Sequence, residues 1–323
     1  MNNLAPIVLF TYNRPWHVEQ TLNALMQNEL ASESILYIYC DGAKPDATEE
    51  QKEKIRQSRE VVRKKQWCKE VVIRETEQNK GLGNSIIEGV AEVINKHRKV
   101  IVLEDDLVTS PLFLDYMNKA LEYYENRKTV FSISAVSRPN PHLFYPKDYE
   151  YDVYVSQTHR PTGWATWLDR WKQVDWSAKC FKYLQADKNI RNAFNRLGAD
   201  YYSALEKQQL TGQNVWSIRF ALAHFVNHAV SICPIVSYID HIGWDEEATN
   251  AIGGRGQWNH TFLASKKDIR FLDILYEDSR IINSWYSFSV KKRRSLIGRI
   301  INRMAYKFLK KDEFVLKGKI YDF

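Results

Sequence analysis

Val100-Ile101-Val102-Leu103-Glu104-Asp105-Asp106 places four apolar residues directly before three carboxylates. An unbroken, β-branched apolar run of this kind suits a strand buried on both faces, as in a parallel sheet covered by helices. The charges at its end mark where the chain leaves the core. On the N-terminal side, Leu82, Ile86, Ile87, Val90, Val93 and Ile94 recur at helical spacing and predict a helix from Leu82 to His97. On the C-terminal side, Pro111 predicts the start of another helix, reaching about Asn126. Helix, buried strand and helix in succession form the repeating unit of an α/β fold.

The same alternation runs back to the N-terminus. Ile7-Val8-Leu9-Phe10 reads as a strand, and Pro15 opens a helix to about Gln27. Ile35-Leu36-Tyr37-Ile38-Tyr39-Cys40 is a second strand, ending at Asp41-Gly42. A charged helix from about Thr48 to Lys65 and a strand at Val71-Val72-Ile73 follow. Successive βα units predict a mostly parallel sheet with helices on both faces. From about Thr129 the pattern loosens into short strands, a Trp-rich segment at 163–176, and helices near 188–209 and 214–228. No internal repeat and no low-complexity linker interrupts the chain.

In such sheets ligands bind beyond the carboxyl ends of the strands. Three of those ends are polar: Thr11-Tyr12-Asn13-Arg14, Asp41-Gly42 and Glu104-Asp105-Asp106. Adjacent carboxylates repel, and a divalent cation offsets that repulsion. The same acidic residues also suit a helix N-terminus, with Pro111 close behind. Asp41 can accept a hydrogen bond from a nucleobase imide or a ribose hydroxyl. Arg14 and Lys80 are cations able to meet diphosphate oxygens. Asn79-Lys80-Gly81-Leu82-Gly83 permits close backbone approach, although it equally reads as a plain helix start, being neither a P-loop nor a full G-x-G-x-x-G.

Composition narrows the class. The chain has 323 residues, room for one large α/β domain with an appendage. Its 10 Trp and 18 Tyr suit stacking on sugars or bases, and equally an aromatic core. The net charge is +7, but residues 291–311 alone carry nine Lys or Arg and no acid; removing those nine leaves −2 on the rest. The main body is therefore not basic, which argues against nucleic acid as a partner. Within that tail, apolar pairs at 296/297, 300/301, 304/305 and 308/309 oppose basic residues at 292, 299, 303, 307 and 310. This is an amphipathic basic helix, fit for an anionic membrane surface or for docking on the body. The four cysteines form no C-x-x-C pair, and Cys40 and Cys233 lie in apolar runs, consistent with a reducing cytosol. The N-terminal apolar stretch reads as a first strand rather than a signal peptide, and no 18-residue apolar run is present.

The order A-P-I-V-L-F-T-Y-N-R-P, C-D-G, N-K-G-L-G, V-L-E-D-D-L-V-T-S-P-L-F-L and G-W-A-T-W-L-D-R-W resembles bacterial glycosyltransferases of surface-polysaccharide assembly. These are similar in turn to the N-acetylglucosaminyltransferase I family. The resemblance spans about residues 5–250, and its specific parts are the E-D-D motif and the G-W-A-T-W segment. It implies a GT-A fold over about residues 1–265, with a nucleotide-binding half at about 1–108 and an acceptor half at about 109–265; the charge and spacing of the tail add a basic helical extension at 266–323. It implies an inverting enzyme that moves a sugar from a nucleotide donor, uridine-linked, to a lipid-linked or oligosaccharide acceptor. Cysteine usage and the basic tail together lead to the expectation of a cytoplasmic protein, peripheral on the inner face of the cytoplasmic membrane.

Residue by residue, the resemblance gives the base of the nucleotide to Asp41, the ribose and donor sugar to Glu104 and Asp105, the lining of the sugar pocket to Gly163 and Trp164, and a Mn2+ or Mg2+ ion to Asp106. Thr11, Asn13, Arg14 and Lys80 join the nucleotide side by their place at or near the strand ends. Two departures matter. Relatives often carry Asp near the Trp216 segment as the base, whereas this chain reads Gln213-Asn214-Val215-Trp216-Ser217. Asp245 and Glu246 are then the nearest carboxylates able to act as base. Asn250 stands where relatives often have His, leaving His241 or His260 as a further metal or phosphate ligand. Two other readings keep the fold. A sugar nucleotidyltransferase would need a glycine-rich first loop, which residues 10–15 lack. A non-catalytic sugar-binding relative is compatible with the missing carboxylate.

Overall fold

The computed structural model describes residues 4–137, 144–244, 263–289, 314–316 and 319–321. The first half runs β1 (Ile7–Thr11), α1 (Pro15–Met26), β2 (Ile35–Cys40), α2 (Glu49–Arg63), β3 (Glu70–Glu75), α3 (Leu82–His97) and β4 (Lys99–Glu104). A short β5 (Leu107–Thr109) and α4 (Phe113–Tyr123) follow. The second half comprises β6 (Val130–Ser134), β7 (Val153–Ser156), β8 (Trp164–Trp167), α5 (Leu168–Trp171), α6 (Phe181–Ala186), α7 (Lys188–Phe194), α8 (Tyr201–Thr211), α9 (Trp216–Val226), β9 (Val230–Pro234) and β10 (Ile239–His241). Beyond these lie α10 (Ser279–Ser289) and a hairpin of β11 (Phe314–Leu316) and β12 (Lys319–Tyr321).

Eight strands make one sheet in the order β3-β2-β1-β4-β8-β6-β9-β7. Strands β1 to β4 are mutually parallel where they pair; β8 runs antiparallel to both β4 and β6, and β7 antiparallel to β9. This is the mostly parallel α/β sheet that the sequence predicts, with the reversed strands confined to its second half.

Alternation along each strand divides the core into two layers. Ile7, Leu9, Leu36, Ile38, Ile101 and Leu103 face one layer with Val18 and Leu22 of α1 and Phe113 and Met117 of α4. Val8, Phe10, Tyr37, Val100 and Val102 face the other, against Ile86, Val90 and Val93 of α3 and Trp216 and Phe220 of α9. Helix entry follows local chemistry. Pro15 supplies a fixed φ at the first turn of α1, and Thr48 and Gln51 close a reciprocal capping box on α2. The chain after 262 also joins the body: Leu272 and Ile281 are fully buried. Among the described residues, no helix is long and apolar enough to cross a membrane.

Candidate active site

The carboxyl ends of β1, β2 and β4 open into a cavity of about 350 Å³. Its walls include Thr11, Tyr12, Asn13, Arg14, Asp41, Glu104, Asp105, Asp106 and His241, so the three polar strand ends share one crevice. Phe10, Tyr39, Lys44, Asn79, Gly81, Leu82, Ser85 and Gly243 complete it.

The floor is the acidic triplet, held in place from two sides. Helix α1 holds it from one side. Thr21 donates its hydroxyl to the Asp105 carbonyl at 2.8 Å and accepts the Leu107 N–H at 3.1 Å. From the other side, β10 pairs antiparallel with β5, setting His241 opposite Leu107, and the Ile242 N–H bonds the Asp106 carbonyl at 2.9 Å. A strand directly after the triplet is thus paired with one far along the chain, and this pairing delivers His241 to Asp106. The His241 Nε2 stands 3.5 Å from Asp106 Oδ2, and Arg14 Nη1 donates to the same oxygen at 2.8 Å.

Three carboxyl groups crowd into a largely buried space here, and the charged form of two of them is disfavoured. Burial, reinforced by the charges of Asp106 and Asp105, pushes the Glu104 carboxyl up to about 8. Burial and the charge of Asp106 push Asp105 up to about 7, against the opposing pull of Arg14. A divalent cation relieves such crowding. The fit test is steric as well as electrostatic. A Cβ on Gly243 would overlap Asp106 Oδ2 and lie 2.8 Å from Asp106 Cγ and 3.0 Å from Arg14 Nη1. Only glycine lets the chain pass this close to that oxygen. A carboxylate oxygen and an imidazole nitrogen facing each other on the cavity wall fit Mn2+ or Mg2+, whose remaining ligands would come from water and phosphate. Among the described residues, no group of three or more His, Cys, Asp or Glu converges on one point.

Asp41 is built differently. Its Oδ1 accepts from the backbone N–H groups of Gly42 and Lys80, both at 2.9 Å, and from the Thr76 hydroxyl at 3.1 Å; its Oδ2 accepts the Gly81 N–H at 3.0 Å. The carboxylate therefore ties the C-D-G turn to the N-K-G-L-G turn, and Oδ2 keeps acceptor capacity towards the cavity. Lys80 joins through its backbone, while its ammonium pairs with Glu88 at 2.6 Å on the exterior.

Gly163 and Trp164 lie outside the cavity wall. Gly163 takes a left-handed φ of 60° at the turn into β8, where a Cβ would sit 2.7 Å from Ile239 Cδ1. Trp164 is 1% exposed, stacked on Trp216 at 5.0 Å and on Trp171 at 5.9 Å. The Trp-rich segment is thus core on the α3 face of the sheet. Asn214, in the segment where relatives carry a carboxylate, hydrogen-bonds Asn84 and packs on Gly83 at the start of α3. Asp245, Glu246 and His260 lie outside the described residues, as does the basic segment 291–311.

Sequence reading missed Gly243, Tyr39, Lys44 and Ser85 at the site. The H-I-G-W segment was visible, but the need for glycine arises only once Asp106 is set beside it.

A model of the family described as glycosyl transferase family 2 matches residues 7–194. No curated protein matches the sequence. Solved structures that resemble the chain include a UDP-glucose pyrophosphorylase complexed with UDP-glucose. It is 12% identical with a TM-score of 0.36, over 72% of this chain and 90% of that one. S. aureus TarS is also 12% identical, with a TM-score of 0.37, over 73% of this chain and 36% of that one. The family match covers more than half of the sequence and contains all three polar strand ends. The chain belongs to glycosyl transferase family 2.

Proposed function

We propose that this chain is a metal-dependent, inverting glycosyltransferase that takes its sugar from a uridine diphosphate donor. Membership of the family makes it a glycosyltransferase with a nucleotide-sugar donor and a glycan acceptor. The observation that carries the finer reading is the meeting of Asp106 Oδ2 and His241 Nε2 beside the bare wall of Gly243. Asp41 supports the nucleotide end: its Oδ2 faces the cavity with one acceptor position in hand, suited to an imide N–H. Arg14 sits where a diphosphate would pass between the nucleotide and the acidic floor.

Asp106 and His241 would hold Mn2+ or Mg2+, which when bound would supply positive charge to offset that of the leaving diphosphate. In the reading proposed, Asp245 or Glu246 takes the proton of the acceptor hydroxyl, which attacks the anomeric carbon from the face opposite the diphosphate. The kinship with N-acetylglucosaminyltransferases belongs to the same proposal and rests on the motifs alone. The acceptor proposed is a lipid-linked glycan of surface-polysaccharide assembly. The basic segment 291–311 would hold the enzyme at the anionic inner face of the cytoplasmic membrane. Cutting the chain after Ser289 keeps α10 whole and should abolish co-sedimentation with anionic vesicles at low salt. Equal sedimentation of both chains would rule the membrane role out.

The donor site is tested by thermal shift with UDP-sugars, with and without Mn2+. Stabilisation by donor should require Mn2+ in the wild type and vanish in a folded Asp106→Ala variant. Equal stabilisation without the metal, or in the variant, overturns the reading.

A further inference from the structure

Three groups converge on one atom. Arg14 Nη1 donates to Asp106 Oδ2 at 2.8 Å, His241 Nε2 faces that same oxygen at 3.5 Å, and Gly243 packs against it on the cavity wall. The guanidinium is aimed rather than loosely placed. Its Nη2 lies 2.9 Å from Nε2 of His17, a side chain only 1% exposed on the inner face of α1, and its Nη1 also comes within 4.0 Å of Asp105. A divalent ion bound at Asp106 Oδ2 would stand beside this guanidinium. Two cations cannot share the oxygen without strong repulsion in a largely buried setting.

We propose that Arg14 is a placeholder cation for Asp106, and that it makes metal binding conditional on a diphosphate. Without donor, the guanidinium neutralises Asp106 and keeps the site from loading with metal. A nucleoside diphosphate entering the cavity offers the guanidinium a better, forked partner, so Arg14 turns to the phosphate oxygens and releases Asp106 to the ion. The two ligands then favour each other by the same factor, as linkage requires. Arg14 acts here as a positioning residue that sets the order of assembly. The inference rests on the proposed donor and metal reading, but it can fail while that reading stands.

The test is calorimetric and needs no turnover. Mn2+ alone is titrated into the full chain, then Mn2+ in the presence of UDP, with the Mn2+–UDP complex of free solution subtracted. In the wild type, UDP should tighten Mn2+ binding by at least about tenfold. Arg14→Gln removes the competing charge and should bind Mn2+ alone at least about tenfold more tightly than the wild type. In that variant the mutual tightening should shrink to the part that direct phosphate ligation of the ion supplies. Arg14→Lys keeps the charge and should bind Mn2+ alone as weakly as the wild type. If Arg14→Gln and Arg14→Lys bind Mn2+ alone equally, or if wild-type Mn2+ affinity ignores UDP, the exchange is wrong. Where the Gln variant does not fold, an Arg14→Lys variant that binds Mn2+ alone more tightly than the wild type, or a wild type that ignores UDP, still overturns the exchange. A wild type that binds neither UDP nor Mn2+ in either arm overturns the donor-site reading as well.

Discussion

Gly243 closes on Asp106 so tightly that a methyl group at 243 would overlap the carboxylate oxygen shared by Arg14 and His241. The atoms in its way are the ends of side chains, so they can yield without disturbing the sheet. Gly243→Ala should therefore fold, with a melting temperature lowered by less than about 4 °C. Its Mn2+-dependent binding of a UDP-sugar should nevertheless fall by more than about tenfold, because a displaced carboxylate loses its charge-assisted contact. Thermal melts and donor titrations on one preparation check both halves. Unchanged donor affinity would mean that the oxygen at this wall is not used.

Asp41 is bound to four donors, three of them backbone N–H groups. An amide at this position must turn its NH2 towards at least one of those N–H groups. Asp41→Asn should lower stability in urea by about 1.5–3 kcal/mol, the worth of a hydrogen bond to a charged group. It should also weaken free UDP by more than about tenfold, since both the turn and the acceptor oxygen are lost. Weakening confined to the intact nucleotide sugar would move Asp41 from the nucleotide to the sugar.

Half of this architecture could be read before any coordinates. The bounds of β2 and α3 coincide with those predicted, because each carries a clean period between clear stop signals. The crevice was legible for the same reason, since parallel strands must end on one side. The second half was not. Strand β8 inserts between β4 and β6, and β5 finds β10 some 130 residues later, pairings that no local pattern encodes. Trp164 shows the limit for a single residue. Its sequence context resembles a sugar-binding wall, yet its surroundings are set by Trp216 and Phe220 of α9, and they are core. Lys80 shows it for a charge: proximity to the cavity in sequence did not fix the direction of its ammonium, which Glu88 takes.

The chain offers no carboxylate at 213–217, and Asn214 is engaged with Asn84. If a residue just past Trp244 serves as base, Asp245→Asn or Glu246→Gln should slow sugar transfer by about a hundredfold or more, in keeping with general base catalysis. Donor affinity should stay within about threefold, because the proton leaves only after donor and acceptor are bound. Single-turnover transfer alongside UDP-sugar titration separates the two. Full turnover in both variants would place the base elsewhere.

Stability should fall in mild acid through His224. The ring is fully buried under Phe131 and Phe220, beside His159. Its Nδ1 lies 2.8 Å from the Phe220 carbonyl, which can only accept, so Nδ1 carries the proton and Nε2 accepts from the hydroxyl pair of Ser132 and Ser231, whose oxygens are bonded to each other at 2.6 Å and leave one proton for the ring. A second proton would break the contacts at Nε2 and put a charge in the core. Burial accordingly lowers this imidazole from 6.5 to about 4, outweighing the raising effect of the Phe220 bond. Burial likewise holds His159 well below its ordinary value. The unfolded chain takes up a proton near 6.5 and the folded chain only near 4, so in that window the unfolded state binds more protons. Stability then rises with pH and is lost as pH falls from about 6.5 towards 4, by roughly 1.4 kcal/mol per unit for each such histidine. His224→Gln keeps an acceptor for the two serines and removes the titration. Urea denaturation at intervals across this range should give a shallower slope in the variant than in the wild type. Parallel slopes would show that His224 does not titrate between the two states, and that the acid sensitivity belongs to other groups.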